Sequence, residues 1–333
     1  MRRKRRLIFL AGLLLISAIV AVWLLPGLAP VGPASAPKIF IRYEDPVPLD
    51  KVLSDLAQRG ILKSSQAAKW VAFLAGGSGP VAIGSYSVGP GQNALSILLA
   101  LRKPIHQTIR LPETNWANRS AHVLEQHNVT SADEYMEIVR DPGQIANEVS
   151  FPLPKDSLEG YLYPGRYDLP PLFGAKRTIL KQLEAFEKNI WPLGKSDPDF
   201  RRTLILASLV QLEAGKDSDR PIIAGVIENR IKARMPLQID ATIEYALQKW
   251  RRLTFKDYRN VKSPYNTYLI KGLPPGPICS PDKKDIEAAM HPAKHDYLFY
   301  VALPNGQTIY SATYKEHLKN IKKRRAAMKA GKS

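Results

Sequence analysis

Leu204-Ile205-Leu206-Ala207-Ser208-Leu209-Val210-Gln211-Leu212-Glu213-Ala214-Gly215 is the stretch on which the reading of this chain turns. Its spacing predicts a helix over Phe200–Glu213. Residues three and four apart share a helix face, so Leu206, Leu209 and Val210 lie on the side of Glu213. That places a carboxyl at the last turn of an apolar stripe, just before a Gly215 stop. Partial desolvation and the negative end of the helix dipole both disfavour its charged form. A carboxyl kept protonated near neutral pH can act as a general acid. The ordinary alternative is a helix-end Glu paired with Lys216 or Arg220, and the pattern alone does not separate the two.

Working outward, a long helix is expected upstream from about Lys176 to Asn189, after the turn-rich block Glu159-Gly160-Tyr161-Leu162-Tyr163-Pro164-Gly165-Arg166-Tyr167. Downstream, Asp219-Arg220-Pro221 starts a helix through Ile231 that presents Asn229 and Arg230 near its end. Asp240, in Met235-Pro236-Leu237-Gln238-Ile239-Asp240, fits two roles. It can be the second carboxylate of a glycosidase pair, or the N-cap of a helix over Ala241–Gln248. Tyr265-Asn266-Thr267-Tyr268 precedes Gly272-Leu273-Pro274-Pro275-Gly276-Pro277, whose prolines pre-set the backbone. Aromatic rings and amides on such a loop suit sugar faces and N-acetyl groups; a rigid structural turn explains it equally simply.

The N-terminal third has a different texture. Met-Arg-Arg-Lys-Arg-Arg precedes an apolar run from Leu7 to Leu25. A run of this length can cross a bilayer as a helix, and the basic cluster holds the N-terminus in the cytoplasm. Ala34-Ser35-Ala36 resembles a signal-peptidase site, but the apolar run is longer than a signal core. Either way the body is exported. Residues 26–37 read as a Pro/Gly/Ala-rich spacer without a core of its own. Beyond it, Ile39–Tyr43 reads as a strand, Val52–Arg59 as a helix ending at Gly60, and Ser64–Phe73 as a second helix capped by Ser64 or Ser65. Val81–Val88 is then a strand, Asn93–Leu101 a helix and His106–Leu111 extended. This strand–helix–helix–strand order suggests a module of about 70 residues. Asn118–Val149 looks mostly helical and polar, a connector.

The chain has 333 residues and a net charge of +18, partly from its C-terminal lysines and arginines. With an exported body and no nucleic-acid motif, that charge fits an anionic membrane or cell-wall polymer better than nucleic acid, and a solvated tail fits as well. Cys279 is the sole cysteine, which rules out a disulfide framework and reads as a packed thiol. Gly76-Gly77-Ser78-Gly79-Pro80 lacks the last glycine of a nucleophile elbow. His291 and His295 are spaced i,i+4, but Pro292 intervenes and no HExxH is present. No metal and no cofactor is expected.

Six stretches, in order, resemble the endolytic murein transglycosylases of the bacterial inner membrane, the MltG/YceG-like family. They are Glu159–Pro164; Leu206–Glu213; Ala224-Gly225-Val226-Ile227-Glu228-Asn229-Arg230; Met235–Asp240; Tyr265–Tyr268 through Gly276; and His291-Pro292-Ala293-Lys294 through Val301. They cover roughly residues 156–317. The N-terminal module resembles the family's LysM-like subdomain in layout and in Gly84-Ser85-Tyr86.

The resemblance implies an α+β fold: a transmembrane helix, a small LysM-like α/β module and a larger α+β catalytic domain. The implied boundaries are a cytoplasmic tip at 1–6, the span at 7–25, a linker at 26–37 and the module at 38–112. A connector at 113–155, a catalytic domain at 156–318 and a basic tail at 319–333 complete them. The resemblance further implies that Glu213 is the catalytic acid/base. It would cleave between N-acetylmuramic acid and N-acetylglucosamine without consuming water, leaving a 1,6-anhydro end. One carboxyl suffices there, because the nucleophile is the substrate's own C6 hydroxyl. Gln238, Asp240, Tyr265 and Asn266 would then position substrate or orient Glu213. The implied partners are nascent peptidoglycan strands and, beside them, peptidoglycan synthases. The alternative is a non-catalytic peptidoglycan-binding scaffold of the envelope. The sequence departs from the family at Gln211 (a second glutamate in many members), Ala214 (a hydroxyl residue), Gly165 (aspartate) and Gln307 (histidine). Ala241 also replaces a common proline.

Overall fold

The structure, a computed structural model, describes residues 25–330. The expected cytoplasmic tip and all of the expected membrane span except Leu25 lie outside the described residues. Among those described, no helix is long and apolar enough to cross a membrane. The chain is mixed α and β, with three two-stranded sheets, and divides into two compact units. The smaller holds residues up to Thr108 together with Asp168–Phe173, and the larger holds Ile109–Tyr167 and Gly174 onward.

In the smaller unit β1 (Ile39–Tyr43) pairs antiparallel with β2 (Gly84–Val88), with Ile41 opposite Tyr86. Helices α1 (Leu49–Gln58), α2 (Ser65–Leu74) and α3 (Ala94–Ala100) pack with this strand pair. The expected strand–helix–helix–strand order is present. Helix α1 buries Leu49, Val52, Leu53 and Leu56; Val52 and Leu53 follow Leu49 by three and four residues and precede Leu56 by four and three, which makes one stripe. It ends before Gly60, whose φ of +69° is a left-handed conformation that glycine adopts without steric cost. Ser64 caps α2 by accepting a hydrogen bond from the Ala67 N–H at 3.2 Å. The spacer expected to lack packing is in fact docked on this unit. Val31 and Gly32 both donate backbone N–H bonds to the Pro90 carbonyl, at 3.0 and 2.9 Å, and Leu28 packs against the unit's core.

The larger unit opens with β3 (Thr108–Leu111), α4 (Ala117–Gln126) and α5 (Ala132–Arg140), then a 3₁₀ turn over Pro142–Glu148. The stretch read as a mostly helical connector is helical, and it packs: Leu124, Tyr135, Val139 and Ile145 are all buried. Strand β4 (Gly165–Asp168) pairs with β3. After α6 (Ala175–Asn189) and the short α7 (Trp191–Gly194) comes α8 (Phe200–Glu213), with Asp199 as its N-cap. Helices α9 (Arg220–Lys232), α10 (Asp240–Leu247), α11 (Phe255–Asn260) and α12 (Lys283–Met290) follow. Strands β5 (Phe299–Ala302) and β6 (Thr308–Ser311) form an antiparallel hairpin, and α13 (Tyr314–Ala330) closes the chain. The expected basic tail is therefore largely the continuation of a helix.

Helix α8 departs from the one-sided stripe expected of it. Every residue from Thr203 to Val210 is buried, so it runs through the interior of the unit rather than along a surface. Burying its leucines and valine contributes about 1.5–3 kcal/mol per side chain, which fixes the axis that carries Glu213. Its end also differs: Ala214 turns extended at φ −80°, ψ 115°, and Gly215 is not in the left-handed conformation of a glycine cap. The fully buried Ser208 hydroxyl on α8 bonds the Ile205 carbonyl at 2.7 Å and accepts the Ile278 N–H at 3.1 Å. Cys279, buried as expected, reaches the Ser208 carbonyl. The proline-rich loop is thereby pinned to α8. Gly160 completes the anchorage: its φ is +89°, and a Cβ there would meet the Pro277 ring at 2.6 Å.

Candidate active site

Where α8 ends, the larger unit opens a cleft of about 560 Å³. Glu213, half-buried, enters it from the helix tip. Gln238 and Asp240 line it from the turn before α10, Tyr268 from the following loop, and Tyr300 from β5. The Tyr300 hydroxyl donates to Glu213 Oε2 at 2.7 Å. Burial pushes the Glu213 carboxyl up to about 7. The Tyr300 hydrogen bond opposes that rise, Asp240 adds to it by like-charge repulsion, Arg230 opposes it and Glu244 adds slightly. The result is a carboxyl that both gives and takes a proton near neutrality, which is what acid/base work requires.

Arg230 is the cation of the site. Only 8% exposed, its guanidinium bonds backbone carbonyls, Leu298 through Nε at 2.7 Å and Leu237 through Nη1 at 2.6 Å. It is held by backbone carbonyls rather than by a carboxylate, and its charge opposes the rise at Glu213. Those two bonds also join the strand leading into β5 to the turn before α10. One residue earlier, Asn229 donates to the carbonyls of His295 and Tyr297 at 2.7 and 3.1 Å. His295 itself contacts the Ile222 carbonyl through Nε2 at 2.9 Å and accepts the Tyr297 N–H at Nδ1. Its role is to shape this corner of the backbone.

The turn before α10 exposes Gln238 and Asp240 because Leu237 and Ile239 are buried between them. Gln238 sits at φ +54°, strained for a residue with a side chain. Its N–H donates to the Thr267 carbonyl at 3.0 Å, while a buried Thr242–Thr267 hydroxyl pair holds Ile239. Asp240 is the first helical residue, Ile239 occupies the N-cap, and no side-chain cap bond forms there. The capping role expected as one alternative for Asp240 is therefore absent. Its carboxylate instead accepts from Tyr268 at 2.6 Å and Tyr258 at 3.4 Å, beside Glu213 in the same cleft.

Of the residues singled out from sequence, Glu213, Gln238 and Asp240 come together, whereas Tyr265 and Asn266 lie outside the cleft lining. Asn266 is fully buried. It donates to the carbonyls of Tyr258 and Val261 and accepts the Tyr268 N–H at 3.0 Å. It thus fixes the loop that carries Tyr268. Tyr265 packs its ring on Tyr245 at 4.8 Å and faces Gly276. Sequence reasoning did not select Tyr300, Tyr268, Arg230 or the cleft's outer wall of Lys216, His317 and Arg324. Tyr268 and Arg230 stood inside quoted motifs. Tyr300 lay within the quoted stretch ending at Val301, but nothing local tied it to Glu213, since only the β5–β6 hairpin brings the two together. Gln211, an amide, puts no second carboxyl on the helix turn of Glu213, and its side-chain oxygen accepts the Asp282 N–H at 3.4 Å.

A second buried carboxyl lies elsewhere in this unit. Glu159 accepts the Ala117 N–H through both oxygens at 3.1 and 3.0 Å, at the start of α4. Burial raises it to about 8, against those hydrogen bonds. It secures the Glu159–Pro164 block to α4.

The model of the YceG-like family matches residues 44–323. A protein of Bacillus subtilis named endolytic murein transglycosylase is 39% identical over 184 residues, covering 54% of this chain and 51% of the relative. One of the same name from Streptococcus pneumoniae is 31% identical over 248 residues, covering 66% and 45%. The chain thus spans about half the length of these curated relatives. A crystal structure of a yceG-like protein from Listeria monocytogenes aligns over 86% of this chain and 99% of that one, with TM-score 0.57 and 27% identity.

Proposed function

Because this chain belongs to the YceG-like family, we propose that its cleft cleaves glycan strands of peptidoglycan as an endolytic lytic transglycosylase, with Glu213 as sole acid/base. The observation that carries the reading is the half-buried Glu213 carboxyl, raised to about 7 and bonded to Tyr300 at the head of the cleft. The names of the relatives support the substrate class.

In this reading the protonated Glu213 delivers its proton to the glycosidic oxygen as the bond from muramic C1 breaks. The resulting carboxylate, stabilised by the Tyr300 hydroxyl and the field of Arg230, takes the proton of the muramic C6 hydroxyl. That oxygen closes on C1, so the acid is regenerated and no water enters the product. Asp240, oriented by the hydroxyls of Tyr268 and Tyr258, faces the positive charge that develops at C1. Gln238 offers an exposed amide to the sugar ring. Residues 7–25 anchor the protein in the inner membrane, with its body outside the cytoplasm and near peptidoglycan synthases. The smaller unit, with its strand–helix–helix–strand order, serves as the LysM-like module.

A second reading, hydrolysis through Glu213 and Asp240 together, is favoured by one observation: both carboxylates line one cleft. Mass spectrometry of fragments released from purified glycan strands tests the proposal. Wild type should release fragments and Glu213→Gln, still folded, should not. Undiminished cleavage by the variant would remove Glu213 from the chemistry.

A further inference from the structure

The smaller unit carries a surface that the proposed chemistry does not use. Trp70, Phe73 and Leu74 on α2 are 49%, 66% and 76% exposed, and Leu95 and Leu99 on α3 are each about half exposed. Leu95 and Leu99 stand one helical turn apart and line a groove of about 430 Å³ between α2 and α3. Trp70 and Phe73 meet edge to face at 6.3 Å. An apolar face of this kind on a single unit marks a contact surface.

Its charge is one-sided. From Leu56 to Thr108 the chain holds no Asp or Glu, and it holds Arg59, Lys63, Lys69, Arg102 and Lys103. Asp55 and Asp50, from α1, pair with Arg59 and Lys69 at 3.1 and 3.3 Å. Lys63, Arg102 and Lys103 make no ion pair among the described residues, and Arg102 lines the groove, its guanidinium against Gly77.

The position of the chain's entry decides what this face meets. Gly27 packs so closely on the start of α2 that a Cβ there would lie 2.9 Å from Ser64 Cβ and 3.0 Å from Ala67 Cβ. The following residues are tied down too, since Leu28 packs against the core and Val31 and Gly32 are bonded to Pro90. The described chain therefore begins, at Leu25, two residues from the first turn of α2. From Ala67 to Leu74 is only about 10 Å along the helix, at about 1.5 Å per residue.

We propose that the exposed face of α2 and α3 sits in the interface of an anionic phospholipid bilayer, with Trp70, Phe73 and Leu74 inserted and Arg102 and Lys103 at the headgroups. This rests on the reading of residues 7–25 as a membrane span. A span ending at Leu25 brings the start of α2 to the membrane surface, so its apolar face lies within reach of the interface. Tryptophan and lysine or arginine are the residues that settle at that depth. A sugar platform is the less favoured occupant, because the groove is walled by Leu, Val and Ala side chains, with Arg102 its one charged group.

The test uses the full chain reconstituted into vesicles of phosphatidylethanolamine and phosphatidylglycerol. A fluorophore is attached at Phe73→Cys or, as anchor control, at Ala21→Cys; Cys279 is buried and does not react. For a face lying roughly 5–10 Å into the interface, acyl-chain doxyl lipids should quench the label at 73 by roughly half or more. Quenching should weaken when phosphatidylcholine replaces the anionic lipid. A quenched label at 21 with an unquenched label at 73 would overturn the docked face while leaving the anchor intact. Loss of quenching at both positions would overturn the anchor, and this proposal with it. Shielding of the label at 73 by added glycan strands, without lipid quenching, would assign the groove to sugar and reject the membrane contact.

Discussion

Tyr300→Phe removes a single oxygen and with it the 2.7 Å hydrogen bond to Glu213 Oε2. A hydrogen bond to a charged group stabilises by about 1.5–3 kcal/mol, and about 1.4 kcal/mol corresponds to one pH unit in a titration. The protonated carboxyl keeps part of that contact by donating to the phenol oxygen, so the net change falls near the lower figure, about one pH unit. The sign follows from which form loses the bond. The phenol donates to the carboxylate, so without it the carboxylate is less stable and the proton is held to higher pH. Glu213 starts near 7, and the proposed mechanism requires it protonated to open the reaction. The alkaline limb of kcat/KM against pH should therefore move up by about one unit in the variant. Rates on defined glycan strands across the neutral range report the free enzyme's titration, and the carboxyl 13C signal of Glu213 gives the same quantity without turnover. An alkaline limb that stays in place or moves to lower pH would refute the claim that Tyr300 tunes this proton.

Glu159 is raised from 4.5 to about 8 by burial, so the folded state holds its proton more tightly than the unfolded chain. Stability is then greatest below the unfolded value and is lost as pH rises through about 8. Thermal melts between pH 5 and 9 should show that decline, and Glu159→Gln should flatten it; an unchanged slope would contradict the assignment. Asn266→Ala removes the side-chain partner of the Tyr258 carbonyl and of the Tyr268 N–H, while the Val261 carbonyl keeps the Ser263 N–H, at a cost of about 1–3 kcal/mol for each group left unpaired. Chemical denaturation should register that loss, and turnover should fall with it because Tyr268 is released. Gly160→Ala forces a left-handed residue against Pro277. It should lose at least about 1–2 kcal/mol from backbone strain alone, read as a lower denaturation midpoint.

Local signals carried much of this structure. The Ser64 cap, the Gly60 stop, the β1 strand and helices α6 and α9 follow from spacing, capping and left-handed glycine chemistry, which act within a few residues. What sequence could not carry was long range. Helix α8 is buried all round rather than on one stripe, because α12 and the Ile278–Cys279 segment cover the side expected to face solvent. The candidate site divides the same way. Glu213 was legible as a carboxyl ending an apolar helix and Asp240 as a candidate second carboxylate, while Gln238 was reached only through the family resemblance. Tyr300 and the groups on α13 reach the cleft only through the β5–β6 hairpin and the packing of the final helix. Asn266 illustrates the opposite error: an amide in a loop suits a sugar by residue type, yet every polar atom of its side chain is consumed by backbone.

Digestion of purified glycan strands in water enriched in 18O tests the central claim most directly. If Glu213 works alone and the muramic C6 hydroxyl is the nucleophile, the new ends are 1,6-anhydro sugars that carry no solvent oxygen. Reducing ends bearing the heavy isotope would show that water attacks C1, and would contradict the account.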